Sequence, residues 1–183
     1  MNPSLKPIHL FADSQLLFWR QGTELFLDSL KNLLDNRPSK AAYVGASNGD
    51  NPDYYSIFKA AMENIAINDC RMIQSDFTEA DAAFVDEADV ILLAGGDVRE
   101  GWDVMSRNGL KEAVLRKYQE GALLIGISAG AVQLGLFGWP ETTPTPGRGA
   151  QGQSQSYVRQ PHSGARRCAD AIRPIPGLES SAR

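Results

Sequence analysis

Ser128 stands at the centre of Gly126-Ile127-Ser128-Ala129-Gly130, between the apolar run 122–127 and the helix-compatible residues 131–134. A serine hydroxyl is a weak nucleophile until the backbone exposes it and a base takes its proton. G-x-S-x-G between a strand and a helix does the first of these. A strained turn lifts the hydroxyl out of the sheet, and the flanking glycines keep Cβ atoms out of a tight space. A helix starting at Ala129 aims its N–H groups at the same spot, where an oxyanion would form. The chemistry indicated is acyl transfer through Ser128. The pentapeptide alone would also suit a plain glycine-rich turn; the strand before it and the helix after it favour the elbow.

The elements that must position this serine follow from periodicity and turn residues. Residues 7–13 (PIHLFAD) form a plausible first strand, and 22–34 fit a helix with Phe26, Leu30, Leu33 and Leu34 at helical spacing. Short buried strands are expected at 41–46, 70–74, 89–94 and 122–127. Asn51 caps a helix with Pro52 at its first position, expected to bury Ile57, Phe58, Ala61, Met62 and Ile65. Thr78-Glu79-Ala80-Asp81 resembles a capping box opening a brief helix, and 109–120 form another. Strands alternating with helices over short connections predict an α/β fold: an open, mainly parallel sheet of about five strands with helices on both faces. Ligand sites on such sheets lie at the carboxyl ends of the strands. The turn clusters 47–50, 95–97 and 126–130 all fall at such ends, and converge on one crevice if their strands are neighbours.

The 183 residues suffice for one sizeable core, with 43% hydrophobic and 22% charged content typical of a globular domain. A net charge of -4 argues against a nucleic-acid partner. No apolar run approaches the roughly 20 residues of a membrane span, and the N-terminal residues lack a signal-peptide pattern. Cys70 and Cys168 make neither a disulfide framework nor a metal spacing, so a reducing cytoplasm is the expected location.

The pattern fails from Glu141 onward. The last 43 residues hold only Val158, Ile172, Ile175 and Leu178 as large aliphatics, with five Pro, five Gly, six Arg and no Lys. The first 140 residues hold six Lys and six Arg against 19 acidic residues, a net of -7; the tail is net +3. So little apolar surface cannot offset the entropy of ordering, which predicts an α/β domain over 5–140 and an irregular tail over 141–183. The abrupt change in Lys and Arg usage raises the hypothesis of a frame change or cloning artefact near Glu141. Translating the coding DNA in all three frames tests it; no alternative frame continuing an α/β pattern would end it. Phe137 and Trp139 beside such a tail would favour a homo-oligomer.

LLAGGD at 92–97 and GISAG at 126–130, with a helix and a strand between them, resemble the serine peptidase family of dipeptidase E (aspartyl dipeptidase) and cyanophycinase. YVGASNGDNPDYY at 43–55 resembles that family's second strand and following helix, and the likeness covers roughly residues 5–140. The resemblance implies the three-layer scaffold of class I glutamine amidotransferases. It implies hydrolysis of short, aspartyl-type peptides through an acyl-enzyme on Ser128, with a small peptide as partner and no cofactor or metal. One oxyanion donor is then the Ala129 N–H; the other comes from Gly96 or its neighbour Asp97. Ser47, Asn48 and Asp50 would shape a polar substrate pocket, though such residues equally form turns. Asp97 is also expected to contact substrate, and Arg99 would meet a substrate carboxylate, or be an ordinary surface arginine.

The resemblance also implies a base and an orienting acid after the nucleophile. His162 is in the right direction along the chain, but Arg159-Gln160-Pro161-His162-Ser163-Gly164 offers no apolar strand to hold it. The sequence therefore predicts that His162 is not held within reach of Ser128 and that catalysis is impaired. His9 precedes the nucleophile and is expected to be structural. A catalytically inactive or truncated relative acting as a binding scaffold is the alternative. An α/β-hydrolase esterase also uses G-x-S-x-G, but would carry an early HGGG-type loop, which the chain lacks. A glutamine amidotransferase would want cysteine at position 128.

Overall fold

A computed structural model describes residues 5–34 and 39–136. The chain divides between Thr142 and Thr143 into two units, and all described residues belong to the first. The expectations for the 141–183 tail, His162, Cys168, Phe137 and Trp139 lie outside the described residues.

In chain order the elements begin with β1 (His9–Phe11), a 3-10 turn (Ser14–Phe18), β2 (Arg20–Gln21), β3 (Glu24–Leu25) and α1 (Phe26–Lys31). β4 (Lys40–Val44), a 3-10 turn (Ala46–Asn48), α2 (Pro52–Glu63), β5 (Asp69–Ile73) and α3 (Glu79–Glu87) follow. The last are β6 (Val90–Leu93), α4 (Val98–Asn108), α5 (Leu110–Gln119), β7 (Leu123–Ile127) and α6 (Ala129–Leu136). The main sheet has five strands in the order β1-β7-β6-β4-β5, and every pairing in it is parallel.

Alternation along the strands splits the core between the two faces of the sheet. Tyr43, Leu92, Ile125 and Ile127 pack with Leu27 and Leu30 of α1 and Phe58, Ala61 and Met62 of α2. Val44, Ile91, Leu93 and Leu124 point the other way and pack with Val85, Met105, Val114 and Leu134 from α3 to α6. Burial on both sides explains why these strands read as continuous apolar runs. The architecture is thus the expected three-layer α/β sandwich.

Three local readings change. The helix expected over 22–34 starts only at Phe26, because Gly22, at φ 65°, closes a β2–β3 hairpin first. Helix α4 was not legible: its buried positions are Gly101 and Met105, so a glycine stands where periodicity would show an apolar residue. Its ends are nevertheless marked, by the Asp97 cap and by Gly109 at φ 81°. Ile57 does not join the core of α2; it is 37% exposed and lines a cavity. The capping box is present: Asp81 N–H donates to Thr78 Oγ1 at 3.2 Å, and Thr78 N–H to Asp81 Oδ2 at 3.2 Å.

Candidate active site

β4, β6 and β7 are adjacent, so the turns after them meet at one end of the sheet. The chain leaves β4 towards β5 and leaves β6 towards β7, in opposite directions across the sheet. Such a divergence leaves a crevice at the carboxyl ends, the usual ligand position in open α/β sheets.

Ser128 sits between β7 and α6 with φ at 50°, a left-handed backbone that a non-glycine residue adopts at a cost. Its N–H donates to the Phe11 carbonyl at 2.8 Å, which ties the turn to β1. Its carbonyl accepts the N–H groups of Ala131 at 3.0 Å and Val132 at 3.2 Å, the first bonds of α6. The hydroxyl-bearing residue is exposed while both its neighbours are buried. The flanking glycines are required by close approach. A Cβ on Gly126 would stand 2.7 Å from Ala131 N and Gly130 O, and one on Gly130 would stand 2.1 Å from the Leu93 carbonyl oxygen. This is the elbow geometry expected from the sequence.

The 95–97 turn lies beside it. A Cβ on Gly95 would touch Ser128 Cβ at 3.4 Å. Gly96 holds φ at 143°, and a Cβ there would be 1.9 Å from the Ser47 carbonyl oxygen. That carbonyl accepts the Asp97 N–H at 2.7 Å. Of the two loop donors considered, Asp97 is therefore engaged, which leaves the Gly96 N–H. The Ala129 N–H opens α6, where first-turn donors have no intrahelical partner.

Ser47 was placed among the polar pocket formers, but its side chain is buried beneath the loop. Gln133 Nε2, one turn along α6 from the nucleophile, donates to Ser47 Oγ at 2.9 Å and to the Val98 carbonyl at 3.0 Å. Ser47 and Gln133 are 4% and 1% exposed. They link the turn after β4, the start of α4 and α6, the three pieces that surround Ser128. Gly101 is needed beneath them, since a Cβ there would be 2.1 Å from Ser47 Oγ.

A cavity of about 320 Å³ opens beside Ser128 and is lined by Ala12, Asp13, Ser14, Leu17, Tyr43, Asn48, Tyr54, Ile57, Phe58, Leu92, Ala94, Gly95, Gly96 and Ile127. Asn48 is at this cavity; its Nδ2 donates to Tyr43 Oη at 2.8 Å and its Oδ1 accepts the Asn51 N–H at 3.2 Å. Burial pushes the Tyr43 phenol above its ordinary pKa, so it stays protonated at neutral pH. Asp97 and Arg99 are not among the residues lining this cavity; with Glu100 and Asp103 they line a shallow depression. The Asp97 carboxylate caps α4 by accepting the Glu100 N–H at 2.9 Å. Asp13, Ser14, Tyr54 and Gln133 were not picked out from the sequence. Asp13 ends the first expected strand and Ser14 follows it, and the pairing of β1 with β7 is what brings them to Ser128.

His9 lies on β1 opposite Ile125, packed edge-on against Phe26, and is not among the cavity residues. Among the described residues, no group of three or more His, Cys, Asp and Glu side chains could hold a metal ion. No helix of the described residues is long and apolar enough to cross a membrane.

The sequence profile of peptidase family S51 matches residues 17–138, and the chain belongs to that family. A comparison with curated proteins gave no match. Among solved structures, a presumed peptidase E protein from Listeria monocytogenes EGD-e is 19% identical, with a TM-score of 0.54 over 70% of this chain and 61% of that one. A peptidase from an acI-B1 actinobacterium is 16% identical, with a TM-score of 0.49 over 66% of this chain and 53% of that one. This chain therefore spans 61% of the length of the Listeria structure, which it resembles in fold.

Proposed function

We propose that this chain is a serine-type peptidase that cleaves short peptides through an acyl-enzyme on Ser128. The observation that carries the reading is the strained Ser128 elbow at φ 50° with the Gly95-Gly96 turn packed against it. Ser128 Oγ attacks the peptide carbonyl carbon, and its proton passes to a base. The carbonyl oxygen gains charge and is held by the N–H groups of Gly96 and Ala129. The amine leaves with a proton, and water then cleaves the ester. His162 is the candidate base, and its segment has little apolar material to hold it, so the expected turnover is slow. A serine site without its base retains about 10³–10⁴-fold catalysis over water from oxyanion stabilisation and binding. The aspartyl preference implied by the family resemblance needs a cation for the substrate carboxylate. Arg99 is not at the described cavity.

One observation favours a second reading, a binding scaffold without turnover. The histidine among the described residues, His9, is absent from the cavity lining. Hydrolysis of a dipeptide panel by the full chain, beside Ser128→Ala and His162→Ala, separates the two. The proposal expects slow hydrolysis that falls to background in Ser128→Ala. A rate unchanged by that substitution would refute it, and no hydrolysis of any peptide would leave the scaffold.

A further inference from the structure

We propose that Gln133 is a positioning residue of the acyl-transfer site, holding the Gly95-Gly96 turn at its working distance from Ser128. The inference rests on the proposed role of Ser128 and deepens it. Gln133 is 1% exposed and does not line the cavity, so it acts on the site through other groups. Its bonds define the route. Gln133 Nε2 donates to Ser47 Oγ at 2.9 Å and to the Val98 carbonyl at 3.0 Å. The backbone pins both ends of the turn: Ala94 N–H donates to the Val44 carbonyl at 3.1 Å, and Asp97 N–H to the Ser47 carbonyl at 2.7 Å. Ser47 thus holds the turn with its carbonyl and meets α6 with its hydroxyl. That helix begins at the nucleophile, whose carbonyl accepts the Ala131 and Val132 N–H groups. One amide therefore ties the helix behind Ser128 to the turn packed against it.

Residue type points the same way. A buried amide costs free energy unless it is bonded, and an apolar side chain of similar volume would fill the space between α4 and α6 without that cost. What the amide adds is direction, since hydrogen bonds restrict distance and angle in a way that apolar contacts do not. The fit around it is close: a Cβ on Gly101 of α4 would stand 2.5 Å from Gln133 Nε2. Misplacing a reacting group by about 1 Å costs about 10²-fold in rate. A loosened turn is therefore read in the rate of the Ser128 reaction.

The test is phosphonylation of the full chain by a fluorophosphonate, read as a limiting rate and a half-saturating concentration. It is run at a temperature where circular dichroism shows each variant folded. Gln133→Met keeps the volume and loses the amide. Its limiting rate should fall at least about tenfold, with half-saturation unchanged within about twofold. Ser47→Ala removes the other partner and should slow the reaction similarly. The double variant should be no slower than the slower single one, because both break one link. Val114→Ala, a core defect in α5 on the same face of the sheet, should stay within about threefold of the parent. A parent-like limiting rate in Gln133→Met, or in Ser47→Ala if Gln133→Met folds poorly, overturns the inference. An equal loss in Val114→Ala at equal destabilisation overturns it too. With the parent labelled on Ser128, either result leaves the peptidase reading standing. No label on Ser128 in the parent would sink that reading and the inference with it.

Discussion

A methyl group on Gly96 would meet the Ser47 carbonyl oxygen at 1.9 Å, in a residue that already holds φ at 143°. Backbone strain of that kind costs about 1–3 kcal/mol before the clash is counted. Gly96→Ala should therefore lower unfolding free energy by at least about 2 kcal/mol and shift the turn that packs against Ser128. Gly135→Ala is the contrast, since nothing lies within 4 Å of a Cβ there. Within α6 that change should be neutral or stabilise by up to about 1 kcal/mol. Urea titration of both variants checks the pair; equal midpoints would show that the loop adapts. His9 offers a pH test. Its Nε2 is buried without a hydrogen-bond partner among the described residues, and burial holds its pKa below the ordinary 6.5. The folded chain binds this proton less readily than the unfolded chain, so stability erodes as pH falls through 6.5. The urea midpoint of the parent should fall further between about pH 7.5 and 5.5 than that of His9→Leu, by linkage. A parallel fall would remove His9 as a source of acid sensitivity.

At the scale of elements, α4 and α6 matter because they hold the two sides of the site. Asp97 was expected to touch substrate, and its carboxylate caps α4. Loss of such a cap costs about 0.5–2 kcal/mol, while Asn caps about as well as Asp. Asp97→Ala should be less stable by that amount, and Asp97→Asn should match the parent in both stability and KM. A raised KM in Asp97→Asn at unchanged stability would instead return Asp97 to substrate binding. Gln133 joins α6 to the Ser47 turn and to α4. Gln133→Leu leaves the Ser47 hydroxyl and the Val98 carbonyl without that partner, at a cost of about 1–3 kcal/mol for a buried polar group. Differential scanning calorimetry of Gln133→Leu and Gln133→Met checks this. An unchanged Tm in both would show that the pair does not stabilise the loop.

Across the whole molecule, parallel order and elbow were legible because both depend on short-range pattern. Strands 89–94 and 122–127 are apolar runs bounded by glycine, and Ser128 follows directly from one of them. What escaped was set by packing between distant segments. Asp13 reaches the cavity only because β1 pairs with β7, and Ser47 meets Gln133 across 86 positions of sequence. Helix α4 was hidden by a glycine at its buried face, and Arg99 was drawn towards the site by residue type alone. The claim at the centre is that this fold presents Ser128 as a nucleophile supported by two backbone donors. Incubation of the full chain with a fluorophosphonate, followed by peptide mapping, tests that most directly. The account predicts one phosphonyl group on Ser128, none in Ser128→Ala, and formation slowed about 10²–10³-fold in Gly96→Ala, as for loss of one oxyanion donor. A folded parent chain with no adduct on Ser128, or with other serines labelled at the same rate, would contradict it.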